Sequence, residues 1–434
     1  MFSFIRKRGT ILIIMITAIF LLTGYTVIKL DVFNDGFALS CTIETYGNAW
    51  NGKLAFPLSR GNDSSYLVVM DTNGNLLNLR ESDGYGAVHN IANNTLLFQG
   101  EPYVDGANTS PTYTTHIWNL PENRTNDFPN IISHHDIQYN PINNTFLTLQ
   151  VYVRTVENNT ILYDKIVQVD GVGKTLWTWD TYDHIPLSDA PLYETSTFNG
   201  QTVQDFTHAN ALDWDYNNNI IYLNLRNTNT FYKINQTNGK IIWACGQFGN
   251  FTLLDENKQR VSSLWYHNHD VQQVTPNVFS MFDNDYGNNT NPNNCHSSIK
   301  EVTLNETSMT AHVSWSWEAP TQYWTLYGGA TLILPNGDYL GCFGTPTHQF
   351  PQNQPWNFND TGAIFVEVNP AGEIVRTFTF PVGSYVYRLE ALTNNNPFPS
   401  IPEYPLVSIL IIALAAVTIE IFYVKTIMKN KLSS

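Results

Sequence analysis

The chain has 434 residues, enough for one large core or two domains, and a formal net charge of -15. Charged residues make up only 14% and aromatic residues 13%, so the surface is built from Asn, Thr, Ser and Tyr rather than from Lys and Glu. No Lys/Arg run lies in the central body, which excludes nucleic acid and anionic membrane surfaces as its partners but not a small anion, which one local Arg can hold.

In chain order, a basic tail (residues 1–10, with Arg6, Lys7 and Arg8) precedes an apolar run from Ile11 to Ile28. That run is just long enough to span a bilayer, so residues 11–30 are expected to form an N-terminal transmembrane anchor. A cleaved signal peptide is the alternative; no clean small-x-small site follows the run, which favours the uncleaved anchor. Residues 40–395 then read as β-structure in repeated units. The units start near Tyr46, His89, His135, His208, His269 and Tyr327. Each starter leads into an alternating stretch, an Asn-rich turn and a second apolar strand, as in HANALDWDYNNNIIYLNL.

The outer half of each unit carries a polar turn with Gly between two strands: VVMDTNGNLLNL, VQVDGVGKTLWTW, YKINQTNGKIIWACG and VEVNPAGEIVRTFTF. KEVTLNETSMTAHVSWSW is the same element without the Gly. Six units spaced roughly 45 to 75 residues apart, with no convincing amphipathic helix between them, predict a six-bladed β-propeller. SYVYRLEAL, near residues 384–392, is expected to pair with the first unit and cover its edge. A second apolar span, Leu406 to Val424 within residues 405–424, precedes a basic tail (425–434) with Lys425, Lys429 and Lys431. Glu420 lies near the end of that span and can snorkel. The predicted fold is therefore an all-β, six-bladed propeller flanked by N- and C-terminal transmembrane helices. Both basic flanks are expected in the cytoplasm, leaving the body membrane-anchored on the extracytoplasmic side.

Eleven Asn-x-Ser/Thr sequons, from Asn62 to Asn359, fit that placement, although an Asn-rich chain produces many by chance. Cys41, Cys245, Cys295 and Cys342 show no C-x-x-C spacing; one or two disulfides or buried small hydrophobes are both open. The pattern implies no particular oligomeric state.

Propeller geometry gathers the starters of the innermost strands at one mouth of the axis, which brings His135, His208 and His269 together. Asn210, two residues after His208, is expected on the same side of its strand, and Arg226, at the end of the next strand, is expected to return near His208. Three histidines could instead bind zinc, but an Arg in the same set disfavours a cation.

FTHANALDWDYNNNIIYLNLRNTNTFYKINQTNGKIIWACG, followed by WYHNHDVQQVTPNVFSMFDND, resembles the core of the arylsulfotransferase family, the nucleotide-independent aryl-sulfate sulfotransferases. The H-x-N motif, the Arg eighteen residues after its His, the W-x-x-G strand and the H-D…F-D-N block follow in the family's order, and HHD at His134, His135 and Asp136 resembles its upstream motif. The resemblance covers roughly residues 80–390 and is specific as a set. It implies a six-bladed propeller and a ping-pong transfer of a sulfuryl group from a phenolic sulfate ester to a phenolic acceptor through a sulfohistidine, with no cofactor and no metal. By the resemblance His269 matches the nucleophile, and His135, His208, Asn210 and Arg226 match the groups around the sulfate. His134, Tyr327 and Tyr387 are candidate substrate-binding residues, with Thr345 or Thr347 as a further candidate. The chain has no room before Tyr46 for the N-terminal β-sandwich of some relatives, which leaves the acceptor side in question.

The chemistry suits these residue types. A neutral imidazole can attack sulfur and leave again, splitting the reaction in two. Arg, His and Asn donors can hold the sulfonate oxygens, and His135 can protonate the leaving phenolate and later take the acceptor's proton. Other readings compete. His116, His312 and His348 read as ordinary hydrogen-bonded residues, Phe282-Asp283-Asn284 as a turn shaping the pocket, and Trp177, Trp179, Trp243, Trp315 and Trp317 as packing. The rival function is a non-catalytic, membrane-anchored surface propeller that binds a ligand or protein partner; the intact His/Asn/Arg/His set favours the enzyme.

Overall fold

The computed structural model describes residues 25–32, 38–60, 64–82, 86–92, 94–99, 114–190, 195–287, 294–344 and 362–393. They form six sheets, taken here in the order of their first strands. The first holds Lys53–Arg60, Ser64–Asp71 and Leu76–Ser82, and the second Val88–Ala92, Thr95–Gln99, Thr115–Asn119 and Arg124–Phe128. The third holds Ile137–Asn140, Thr145–Val156 and Asn159–Asp170; Thr175–Asp180 and the hairpin Thr195–Phe198/Gln201–Asp205 both add to Asn159–Asp170. The fourth is Ala209–Asp215, Ile220–Leu225, Thr230–Asn235 and Ile241–Gly246. The fifth is His269–Thr275, Val278–Asp283, Ser298–Asn305 and Thr310–Glu318, with Thr252–Leu254 added in parallel. The sixth is Ala330–Ile333, Tyr339–Phe343, Ile364–Val368 and Ile374–Thr379.

The two ends of this body exchange partners. Ala38–Thr45 pairs with Ile374–Thr379, so early residues complete the sixth sheet, and Tyr25–Val32 pairs outside them. Ser384–Tyr385 and Glu390–Ala391 pair with Lys53–Arg60 in the first sheet. Both additions cover strand edges that would otherwise present unpaired backbone groups.

Burial explains the strand patterns. Ile220–Leu225 (IIYLNL) has neighbours on both faces and buries five of its six residues, so it reads as a continuous apolar run. Thr310–Glu318 (TAHVSWSWE), nearer a sheet edge, alternates instead. The Gly turns share one mechanism: Asp71, Asp170, Asn235 and Asn369 accept backbone N–H groups two to four residues ahead, and Gly74, Gly173, Gly239 and Gly372 take the left-handed position. In the turn without Gly, Asn305 plays the acceptor and Met309 carries φ 52.

Apolar clusters lie between neighbouring sheets. Phe146 and Val167 of the third sheet meet Leu97 and Ile117 of the second; Leu149 and Ile161 meet Leu212 and Ile221 of the fourth. Phe231 of the fourth meets Phe279 and Val302 of the fifth, and Phe282 and Ile299 meet Phe343 and Val366 of the sixth. Phe365 and Phe378 then meet Phe56 and Val68 of the first, and Ala55 and Val69 meet Leu96 and Trp118 of the second. Each sheet thus buries both faces against a neighbour, and the first strands of the third, fourth, fifth and sixth sheets approach one another in turn along an inner side.

The expected propeller flanked by transmembrane helices is corrected to six β-sheets: among the described residues no helix is long and apolar enough to cross a membrane. Tyr25–Val32, which overlaps the end of the expected first span, is a strand in continuous register with Ala38–Thr45. Its sequence YTVIKLDV sets Lys29 and Asp31 between Ile28, Leu30 and Val32, a period of two that suits a strand and interrupts an apolar helix. The rest of that span, the Leu406–Val424 span and both basic tails lie outside the described residues. The membrane anchoring, and the extracytoplasmic placement drawn from it, are corrected on the same ground. Cys41, Cys245, Cys295 and Cys342 are all buried, and burial pushes the Cys41 thiol up to about 12.

Candidate active site

Strand starts deliver the histidines to the inner side. His135 precedes Ile137–Asn140, His208 precedes Ala209–Asp215, and His269 opens His269–Thr275. His135 and His208 have left-handed backbones, with φ 59 and 50, as do His267 and Asp270, with φ 53 and 55. A left-handed non-Gly residue is strained, and such residues cluster where side chains must be aimed.

His135 and His208 face each other with their Nε2 atoms 3.1 Å apart. On its far side His208 Nδ1 hydrogen-bonds the Asp205 carboxylate. On the other side His135 Nδ1 lies 2.7 Å from His134 Nδ1, and His134 Nε2 lies 3.0 Å from Asp164 Oδ1. The second Asp164 oxygen accepts from the Thr207 hydroxyl and, at 3.0 Å, from the Ala209 N–H. Burial disfavours the charged form of Asp205, but His208 and Arg226 more than offset it and hold its pKa low. Burial, with His208, His134, His269 and Arg226 around it, holds the His135 pKa well below the ordinary imidazole value.

His269 is 1% exposed. Its Nδ1 lies 2.7 Å from Asn284 Oδ1 and 3.1 Å from the His267 carbonyl, both acceptors, so Nδ1 carries the proton. The Asn284 amide cannot turn over, because its Nδ2 donates to the Thr325 and Gly328 carbonyls, each at 2.9 Å. His269 Nε2 is then a lone pair, and it accepts the Gly328 N–H at 3.2 Å. Burial and then Arg226 hold the His269 pKa well below the ordinary value, keeping the ring neutral. The Tyr387 ring sits between two of the histidines, 5.8 Å from His135 and 6.1 Å from His269 between centroids.

Arg226 returns to His208 as expected: its N–H donates to the His208 carbonyl at 3.1 Å, and its Nε donates to Asn227 Oδ1 at 3.0 Å. Asn210 does not share the outlook of His208. A register shift at Ala209–Ala211 breaks the alternation, and Asn210 enters a buried amide ladder. Its Nδ2 donates to the Asn268 carbonyl at 2.9 Å and its Oδ1 accepts from Asn224 at 2.7 Å. The ladder holds the backbone next to His269. Tyr327 packs 6.4 Å from Tyr385, and His267 tilts against Tyr286 at 4.8 Å. Thr345 and Thr347 lie outside the described residues.

Beneath the histidines runs a buried ionic layer. Arg388 pairs with Asp270, lies 3.8 Å from Asp136, and donates to the Asn210 carbonyl at 2.6 Å. Asp136 also meets His89 Nε2 at 2.7 Å, and His89 Nδ1 lies 3.4 Å from Glu390. Burial works to lower the His89 pKa, but Asp136 and Glu390 outweigh it and raise it to about 10. This layer ties the starts of the second, third and fifth sheets to the closing segment.

The sequence profile of the Arylsulfotransferase (ASST) family matches residues 33–388. The chain belongs to the arylsulfotransferase family. Membership gives this arylsulfotransferase a general aryl-sulfotransferase-type transferase activity. No curated protein matches it in sequence. Among solved structures it is similar to apo AztD from Citrobacter koseri, with a TM-score of 0.39 and 8% identity over 80% of this chain and 99% of that one. It is also similar to hydrazine synthase from Kuenenia stuttgartiensis, with a TM-score of 0.35 and 9% identity over 68% of this chain and 66% of that one. These likenesses are too distant to assign chemistry.

The histidine cluster also holds Asp164, Asp205 and Arg388, which the sequence did not single out, and Asn284, which it placed only in a turn shaping the pocket. Asp205, three residues before His208, and Asn284, read as part of a turn, carried a local signal: each is a short-chain acceptor beside a histidine strand. Asp164 and Arg388 had none, because they reach the site across sheets, from Asn159–Asp170 and from the closing segment.

Proposed function

We propose that this chain transfers a sulfuryl group from a phenolic sulfate ester to a phenolic acceptor in two half-reactions, with His269 Nε2 as the nucleophile. The observation that supports this most is the fixed tautomer: Asn284 Oδ1, 2.7 Å from Nδ1, leaves Nε2 as the lone pair of a buried, neutral ring. Nε2 attacks sulfur, the S–O bond to the phenol breaks, and the sulfuryl group rests on His269. The acceptor's oxygen then attacks the same sulfur and Nε2 leaves. When sulfur reaches Nε2, the Gly328 N–H loses its present acceptor and becomes available to a sulfonate oxygen. Arg226 supplies further charge and His208 a ring nitrogen on that side, and His135 exchanges the phenolic proton. Tyr387 and Tyr327 offer ring faces to the aryl groups, and His134 backs His135. Asn210 acts as a positioning residue through Asn268 rather than as a direct donor.

The test is a single-turnover experiment. Donor ester without acceptor should release one burst of phenol per chain and add one SO₃ unit to the intact mass, sought at neutral or alkaline pH because the N–S bond is acid-labile. Adding a phenol should discharge the adduct. His269→Asn should abolish burst, adduct and turnover together. A normal burst in that variant, with the label on His267 or elsewhere, overturns the assignment.

A further inference from the structure

Asp205, His208, His135 and His134 form one hydrogen-bonded line, carboxylate to Nδ1, Nε2 to Nε2 at 3.1 Å and Nδ1 to Nδ1 at 2.7 Å, which ends where His134 Nε2 lies 3.0 Å from Asp164 Oδ1, two buried atoms with no hydrogen-bond partner. Each of the three hydrogen bonds needs one N–H between its two atoms. Three neutral imidazoles bring three. With Asp205 ionised and His208 donating to it, His135 must donate to His208 and His134 to His135, which leaves His134 Nε2 and Asp164 Oδ1 as two acceptors facing each other. One further proton on the rings pairs that end with its carboxylate and leaves every hydrogen bond in place. Three arrangements do so, with the imidazolium at His134 beside Asp164, at His208 beside Asp205, or at His135 between them, and burial disfavours the last. They interconvert by shifting one proton across each imidazole link, and all three hydrogen bonds are kept.

We infer that Asp205–His208–His135–His134–Asp164 is a proton relay that stores one exchangeable proton for the transfer reaction. The inference rests on the proposed function for its chemistry and extends it to two carboxylates with no assigned role. In the first half-reaction the N–S bond forms, the S–O bond breaks, and the departing phenolate takes the stored proton from the His135–His208 pair. His269 keeps its own Nδ1 proton throughout. In the second half-reaction the acceptor phenol returns a proton to the relay as its oxygen attacks sulfur, so the cycle closes with no net proton change. His135, held neutral by burial and its cationic neighbours, conducts, while the excess charge rests on whichever outer ring touches a carboxylate. Arg226, His267 and His269 are the other ionisable groups around the relay, and Tyr387 packs on His135. Asp136, next along the chain, is turned to His89 and Arg388 instead.

Asp164 and Asp205 are positioning residues in this scheme, and the test reads two quantities that a purely structural role would not move. The first is ¹⁵N-imidazole NMR of the full chain, which reads which ring nitrogens carry protons. Four N–H protons are expected over the three rings of the wild type, and three in Asp164→Asn and in Asp205→Asn. The second is kcat/KM on aryl sulfate esters of graded leaving-group basicity. Both variants should slow turnover, and the loss should grow by about 10- to 100-fold from the best to the poorest leaving group. Three N–H protons on the three rings of the wild type, or a count that neither variant lowers, overturns the relay. So does an equal loss on all esters. Folding of each variant is checked by its thermal transition; because the two carboxylates sit at opposite ends, one folded variant suffices to decide. A wild-type chain inactive on every aryl sulfate ester would sink the proposed function, and the NMR arm would still decide the relay.

Discussion

Asn284→Ala tests whether the nucleophile's tautomer is set by one amide. In the wild type the Nδ1–H of His269 meets Asn284 Oδ1 at 2.7 Å, with both residues almost fully buried. Removing a buried partner exposes a desolvation penalty of about 1–3 kcal/mol. The His267 carbonyl at 3.1 Å can take up part of it, which points to the lower half of that range. At about 1.36 kcal/mol per tenfold, the range corresponds to a loss of roughly 5- to 160-fold in kcat. The loss should appear in the burst rate with donor ester alone, since that phase contains the attack by Nε2. Asn284→Asp keeps an acceptor at Nδ1 but adds negative charge beside the ring. It should raise the His269 pKa, so the acid limb of the burst rate moves to higher pH, because activity needs the neutral ring. A stopped-flow chromogenic ester reports both. An Asn284→Ala protein that melts normally and bursts at the wild-type rate would refute a tautomer fixed by Asn284.

Two further outcomes are expected. Arg226→Ala should lower kcat by about 10²–10³ and move the acid limb of His269 upward, because Arg226 is the main charge holding that pKa down; Arg226→Lys should recover the limb better than the rate, a point charge lacking the planar fork. Stability should form a dome in pH. The folded His89 pKa of about 10 lies above the unfolded value of about 6.5, so its contribution is complete below pH 6.5 and is lost as pH rises through about 10. His135, His267 and His269 are depressed, so stability is lost on the other side, as pH falls below about 6.5. His89→Gln should remove the alkaline fall, on the order of a few kcal/mol, in thermal melts across pH.

The repeat was legible because it is local. Five of the six starters named from sequence, His89, His135, His208, His269 and Tyr327, fall within three residues of a first strand, since an Asn-rich turn between two apolar runs marks a hairpin without help from the rest of the chain. Tyr46 missed its strand by seven residues because the segment before Lys53 already belongs to the sixth sheet's side of the chain. The histidines could be placed from the repeat of the strand starters, and Arg226 by hairpin return. Asn210 could not, because a bulge is a one-residue irregularity that alternation does not predict. Arg388, Asp164 and His89 find their partners across sheets, where a sequence gives composition but no proximity. The apolar run after Arg8 was long enough for a helix by count, yet its last residues alternate and pair as strand.

The pairing of Thr45 with Arg376 sets a schedule for synthesis. Strand Ala38–Thr45 leaves the ribosome early, and its partner follows only after some 330 further residues have been made. At about 5–20 residues per second, that interval is on the order of 15–65 s. Throughout it, one edge of an apolar strand has no native neighbour. The sixth sheet is therefore complete only after release of nearly the whole body, and a nascent chain that stalls before residue 374 lacks the strand that joins Ala38–Thr45 to it and has an open seam. Arg388, which anchors the ionic layer under the histidines, arrives in the same last stretch. Chemistry and closure mature together, and a truncated chain is left with neither.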